Sequence, residues 1–460
     1  MQTNEALLGF GALVDLVRSR QADVWEPWLP MGDPDPASDG PVAALLRLMH
    51  HGEPAPAAAL DAAAVDLLLG SGFCTEEGDL LVPGRFRATA FRGLVVAADR
   101  DYGHGGDEVH VGNESLRYTA AVLAARPRGR VLDVGCGSGI AMLAAARTAD
   151  EVVGLDILDS AMTATAISTA FNGPPARCRA ERGDFRDIGS GDVDWVIANL
   201  PGVPVPDGLA YPAAGAAGAD GLALIRALWE WFAGSRARRL VMRFQSLGTA
   251  SEPMALDELE RILPPDADIS VVTDSTVPVL IRNAITAARA AQLNPGHTEA
   301  EVLDLLQRAC LDRGWDHYHC STLHVTRAGS GVRRHVLGGA DHRPGARYRA
   351  GAETVSDVEI AAATGLRLRE LPDEFWSLDG SAATALVVDR LPEVRAELRD
   401  GRSPLAIAAA MAGDDAPQQA ALCLALSLVA RVLCDRKALE LRGGTDHPSP
   451  VRNLWLVPGK

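Results

Sequence analysis

Three glycines at alternate positions stand in the run Val131-Leu132-Asp133-Val134-Gly135-Cys136-Gly137-Ser138-Gly139, after an apolar stretch and before one of helical periodicity. Glycine permits a tight turn and a close approach of the backbone to a ligand. A strand, glycine loop and helix of this kind can hold a dinucleotide, with its pyrophosphate at the helix N-terminus. Here the strand carries an acid, Asp133, just before the glycines. A carboxylate there repels a pyrophosphate and suits a ligand bearing an ammonium. Asp156 ends the next apolar run, 23 residues on, where it can accept both hydroxyls of a ribose. Ile157 is then placed to flank an adenine. Asp184 and Phe185, in Arg182-Gly183-Asp184-Phe185, end a third candidate strand and suit the adenine amino group, and Asn199 ends a fourth. Ligands of open α/β sheets bind outside such carboxyl ends. The set favours S-adenosylmethionine over NAD.

Only alternating strands and helices can bring these residues together. From residue 111 the sequence reads that way, with strands at EVVGLDI, VDWVIANLPG and RRLVMRFQSL and helices at DSAMTATAISTAFNG and GLALIRALWEWFAG. The alternation predicts a largely parallel sheet covered by helices on both faces. Residues 276–314 read as helical, HYHCSTLHVTRAG as a late strand and hairpin, 328–352 as a linker or exposed hairpin, and 353–445 as mostly helical. Ahead of residue 111, an amphipathic helix is expected over the first 20 residues, short helices over 42–72 and a hairpin about Glu77-Gly78-Asp79. ATAFRGLVVAAD follows as a strand or helix. The expectation is therefore an α/β protein in three parts: an acidic helical, winged-helix-like accessory domain (1–110), a Rossmann-like core (111–340) and a helical C-terminal domain (341–460).

In order, VLDVGCGSG, GLDI, GDF and ANLPG resemble the motifs of class I S-adenosylmethionine-dependent methyltransferases. AAGADGLALIRALW resembles the GGxDGLxxxRxLL stretch of the HemK/PrmC-like subgroup, which methylates glutamine side-chain nitrogen in release factors. VHVGNESLRYTAAVL is similar to that subgroup's lead into the first strand. These motifs cover residues 110–230, and the whole layout is similar to that of actinobacterial methyltransferases. The resemblance implies that Asp133, Gly135, Cys136, Gly137 and Gly139 line the site of the cofactor's amino acid part, with Asp156 at the ribose and Ile157, Asp184 and Phe185 at the adenine. Asn199 lies beside the cofactor too.

In that subgroup the fourth strand ends Asn-Pro-Pro-Tyr, which binds a planar NH2 group. This chain has Asn199-Leu200-Pro201-Gly202. Asn199 and Pro201 are then the catalytic pair that orients the acceptor. Leu200 departs from the pattern, as in the NLPY of rRNA adenine dimethylases, and Gly202 removes the stacking aromatic. Tyr211, Trp195 or Tyr102 are substitutes for that wall. Nitrogen is the expected acceptor atom, with oxygen as the alternative. The expected substrate is a small biosynthetic metabolite or a peptide, with release-factor glutamine or rRNA as alternatives.

Other residues are weaker candidates. Asn113 and Glu114 precede the first core strand and can touch substrate, although a helix N-terminal acid is also explained by the macrodipole. His317 and His319 share one face of a strand and could contact substrate or accept a proton. Two histidines make an incomplete metal site, so no metal is expected. Cys136 reads as a small filler in the loop.

Composition limits the setting. The 460 residues hold 44 basic and 60 acidic side chains, a net charge of −16, which makes nucleic acid an unfavoured partner. Residues 1–110 carry 17 acidic and 7 basic groups, while 327–350 hold six arginines against Asp341, a solvated face by default. Lys437 and Lys460 are the only lysines, so Schiff-base chemistry has almost no candidates. No apolar run reaches membrane-spanning length, and the first residues lack the pattern of a secretory signal. Seven scattered cysteines predict a reducing, cytoplasmic setting. The residues beyond the core suggest substrate capture or a homodimer.

Overall fold

Between Arg130 and Asn199 three short, mostly apolar runs and the more polar Cys178–Arg182 become four strands. They belong to a computed structural model that describes residues 40–100, 108–173, 177–189, 192–212, 214–249, 252–337, 347–361, 364, 380–413 and 415–441. The helix expected over the first 20 residues, and Tyr102, lie outside the described residues. The chain divides into two compact units, one of Met1–Leu200, Pro212–Ala214 and Gly234–Met242, the other of Pro201–Tyr211, Gly215–Ala233 and Arg243–Lys460.

The first unit opens with helices Pro41–Leu46 and Ala62–Gly70, the latter capped by Asp61, whose carboxylate accepts from Ala64 N at 2.7 Å. Strands β1 (Ala55–Pro56), β2 (Cys74–Glu77) and β3 (Leu80–Pro83) form a small sheet in the order β1-β3-β2. Glu77 pairs with Leu80, so the expected hairpin turns on Gly78-Asp79. Strands β4 (Phe86–Phe91) and β5 (Leu94–Asp99) pair antiparallel across Arg92-Gly93, with φ of 47° and 76°. The segment read as strand or helix is thus a two-residue hairpin, whose twist needs positive φ at both turn positions.

This hairpin is tied to helix Asp159–Asn172. Asn172 accepts from Val95 N at 3.1 Å and donates to Val95 O at 2.6 Å, while Ser168 Oγ accepts from Ala97 N at 2.9 Å. Side chains therefore satisfy a strand edge that no further strand covers. Phe73, Leu81, Val95, Ile167 and Phe171 share one apolar cluster beneath it.

Strands β6 (Arg130–Val134), β7 (Glu151–Asp156), β8 (Cys178–Arg182) and β9 (Trp195–Asn199) are parallel, in the order β8-β7-β6-β9. The chain steps outward through β7 and β8, then returns to the other side of β6. That reversal is a topological switch point, where open α/β sheets bind ligands. The architecture is Rossmann-like.

Strand β10 (Arg239–Gly248) enters the second unit after Met242. There β11 (Asp268–Pro278), β12 (His317–Thr326) and β13 (Arg333–Leu337) lie in the order β13-β11-β12-β10. β11 runs antiparallel to β12, with a register shift between Thr273 and Ser275, and parallel to β13. The helical reading from residue 276 therefore begins three residues too early. The expected long helix is two, Val279–Leu293 and Glu299–Leu311, restarted by a capping box of Thr298 with Glu301. Helices Gly380–Asp389, Leu391–Arg399, Pro404–Ala412 and Ala416–Asp435 share an Ala- and Leu-rich core with Val279–Leu293. β14 (Tyr348–Ala350) pairs with β15 (Leu439–Leu441). No described helix is long and apolar enough to cross a membrane.

Gly154, in the middle of β7, makes room for the glycine loop. A Cβ there would stand 2.7 Å from Met142 Sδ and 3.0 Å from Cys136 Cβ and Sγ. Gly154→Ala is expected to lower unfolding free energy by about 1–3 kcal/mol, the cost of overpacking a tight core. Urea denaturation measures this, and an unchanged midpoint would show that the loop yields freely.

Candidate functional site

The loop after β6 takes its shape from three left-handed glycines, Gly135, Gly137 and Gly139, with φ of 71°, 53° and 75°. Residues with a Cβ pay for that conformation, so the alternate glycines follow from the backbone path. Leu155 O accepts from Gly135 N at 2.8 Å and Cys136 N at 3.1 Å, which lays the loop over the end of β7. Gly137 N then donates to Asp156 Oδ2 at 2.9 Å, and Leu158 N donates to Asp156 Oδ1 at 3.1 Å. Thr165, from the following helix, donates to Gly137 O at 2.8 Å and would lie 3.0 Å from a Cβ at 139. Asp156 and the loop are thereby one bonded assembly.

Asp133 is only 1% exposed. Its Oδ1 accepts from the Tyr118 hydroxyl at 3.5 Å, and Met142 N–H also donates to the carboxylate. Oδ2 is buried without a hydrogen-bond partner among the described residues. Burial, with the neighbouring charge of Asp156, pushes the Asp133 carboxyl up to about 7. A buried acid with one open acceptor is suited to a cationic group brought by a ligand. Tyr118 was not among the residues singled out from the sequence. Its signal was modest: it is the only Phe, Tyr or Trp in the segment leading into β6.

The remaining cofactor candidates lie at the same strand ends. Ile157 is 56% exposed, a large apolar side chain left open beside Asp156. Asp184 is held by Arg186, whose guanidinium keeps the carboxyl below its ordinary range, and Phe185 beside it is buried. Cys136 is buried, which pushes its thiol well up and leaves no thiolate for nucleophilic work. Asn199 ends β9 and is half-buried. Asn113 and Glu114 open helix Asn113–Ala125.

Residues of the second unit are arranged as follows. Pro201 is half-buried and Gly202 buried. Tyr211 packs against the helical core, and a Cβ at Gly215 would meet its ring at 2.6 Å. His317 bonds Asp316 at 2.8 Å, whereas buried His319 contacts Thr249 O at 2.8 Å and Thr276 Oγ1 at 3.2 Å. The two histidines thus point to separate local partners. Among the described residues no group of three or more His, Cys, Asp or Glu could hold a metal ion. The Asp220-Gly221-Leu222 turn has a physical reason. A Cβ at Gly221 would stand 2.6 Å from Gly202 O, and Asp220 accepts from Leu222 N at 2.9 Å and Arg226 Nη2 at 2.8 Å. Glu258 binds the same guanidinium.

The family model described as ribosomal protein L11 methyltransferase (PrmA) matches residues 115–205, which include the glycine loop, Asp156, Asp184 and Asn199. Ribosomal RNA small subunit methyltransferase C of Alcanivorax borkumensis is 40% identical over 73 residues, 16% of this chain and 22% of that protein. The chain thus spans about a fifth of the length of that curated relative. Among solved structures, TYW2 of P. horikoshii in complex with MeSAdo is 14% identical, with 58% of this chain and 82% of that one covered and a TM-score of 0.32. Trm5b of Pyrococcus abyssi is 12% identical, with 55% and 62% covered and a TM-score of 0.31. The matched segment is similar to methyltransferases, and the HemK/PrmC-like subgroup remains a resemblance of motifs.

A cationic ligand group favours ionised Asp133, so binding lowers its pKa and releases a proton wherever the free carboxyl is protonated. With that carboxyl at about 7, affinity for S-adenosylmethionine should fall as pH drops through neutrality. Calorimetric titration between about pH 5.5 and 7.5 is expected to show this fall. Asp133→Asn should flatten the profile and weaken binding at the upper end by about tenfold. A flat profile in the wild-type protein would contradict the assignment.

Proposed function

We propose that this chain is a methyltransferase that uses S-adenosylmethionine and methylates a nitrogen on a small biosynthetic metabolite or a peptide. The observation that carries the reading is the pairing of two carboxylates with the glycine loop. Asp133 offers a buried open oxygen to an ammonium, and Asp156 is fixed by Gly137 N–H beside exposed Ile157. These residues fit the cofactor. When bound, it supplies a methyl group already activated on a sulfonium centre.

The protein's part is then largely placement. Asp133 and the three glycines hold the amino acid portion, Asp156 the ribose, and Asp184 with Phe185 the adenine. Asn199, with Pro201 two residues on, presents oxygen acceptors to the N–H groups of the substrate and so turns the nitrogen lone pair into line. Gly202 leaves no stacking aromatic, which favours an acceptor other than a flat base. The segments before residue 111 and after 340 serve as accessory parts for substrate capture or dimerisation, and the scattered cysteines favour a cytoplasmic setting. A second reading, a nitrogen on a ribosomal protein or rRNA, is favoured by the match of residues 115–205 and by the 73-residue relative.

Purified protein incubated with methyl-labelled S-adenosylmethionine and size-fractionated cell extract separates the readings. Label in small molecules or peptides supports the first, label in protein or RNA the second, and none in any fraction contradicts both. Asn199→Ala should leave cofactor affinity within about twofold and lower transfer at least about tenfold. Equal loss of both would remove Asn199 from the acceptor role.

A further inference from the structure

The backbone just after Asn199-Leu200-Pro201 is held from behind by residues far away in the sequence. Gly202 is buried, and a Cβ there would meet Gln245 Cβ at 3.2 Å, Gln245 N at 3.5 Å and Ile225 Cδ1 at 3.6 Å. A Cβ at this position would already press on the Gln245 side chain. The Gly202 carbonyl oxygen accepts from the Tyr318 hydroxyl at 3.4 Å, across 116 residues of sequence. On its other flank lies Gly221, whose missing Cβ leaves the space that oxygen occupies.

Tyr318 is itself constrained. Its ring is 1% exposed, and the Arg282 guanidinium carbon stands 5.1 Å from the ring centroid. Its hydroxyl also bonds the Gln245 side-chain amide. A phenol has one proton and can also accept. The hydroxyl faces two acceptors, Gln245 Oε1 and Gly202 O, and shares its one proton between them, so the Gln245 amide oxygen fixes where the phenol oxygen lies.

We propose that Tyr318 is a positioning residue for the acceptor loop: oriented by Gln245, its hydroxyl fixes the Gly202 carbonyl and with it the backbone of Pro201-Gly202 that the methyl acceptor meets. The inference rests on the reading of residues 199–202 as that loop. It replaces the missing aromatic wall with a buried backstop that never touches substrate. It also gives Gly221 a purpose, since a side chain there would displace the same oxygen. The Asp220–Arg226–Glu258 pairs hold the Gly221 turn in place.

Tyr318→Phe keeps the ring and removes only the hydroxyl. Methyl transfer from labelled S-adenosylmethionine to the size-fractionated extract should fall by about tenfold or more, with cofactor affinity within about twofold of wild type. Carbonyl-13C glycine with 15N-valine labelling gives a second readout, because Gly202-Val203 is one of two Gly-Val pairs in the chain. Loss of the hydrogen bond should shift the Gly202 carbonyl resonance and leave that of Gly331 in place. An unchanged rate would overturn the proposal, and so would a reduced rate with the Gly202 resonance unmoved, because the effect would then run through another contact. Failure of the methyltransferase reading shows instead in the wild-type protein, as absence of cofactor binding and transfer.

Discussion

The hydrogen bond from Gly137 N–H to Asp156 Oδ2, 2.9 Å long, is the contact on which the cofactor side of the site depends. It can form only if the chain after β6 turns back through three left-handed residues, so it sets the glycine spacing. It also anchors the loop to the tip of β7, where Leu155 O already accepts two loop N–H groups. Gly154 is bare for the same reason, since loop and helix press on the strand at that point. One bond thus connects backbone conformation, packing and the placement of a carboxylate.

That placement has an electrostatic consequence. Asp156 stays near Asp133, and burial and this like charge together push Asp133 up to about 7. The buried Asp133 carboxyl beside a like charge leaves the free site poised for a positive partner. A pyrophosphate at the glycine loop would meet the Asp133 carboxylate and gain nothing from it. Selectivity between adenosine ligands is therefore written into the acids as much as into the glycines.

The candidate cofactor residues could be grouped from the sequence because they stand at or beside strand ends within a short span. Asp133 lies near the end of apolar β6, Asp156 and Asn199 end β7 and β9, Asp184 follows β8, and parallel strands bring such ends to one edge. Tyr118 was not legible, because a helix separates it from the acid it touches. β11 escaped because Asp, Ser and Thr interrupt its apolar residues, which blurs the two-residue period. Gly202 could be read from the sequence only as a missing aromatic. Its cause lies in Gln245 and Tyr318, on strands β10 and β12, and no local pattern announces a contact of that range.

The choice of ligand is the central physical claim, and competition calorimetry tests it most directly. The wild-type protein is titrated with S-adenosylmethionine, then with NAD, and finally with each in the presence of the other. Saturable binding of S-adenosylmethionine that NAD does not displace is the expected result. Binding of NAD at the same site, or no binding of S-adenosylmethionine, would contradict the roles given to Asp133 and Asp156.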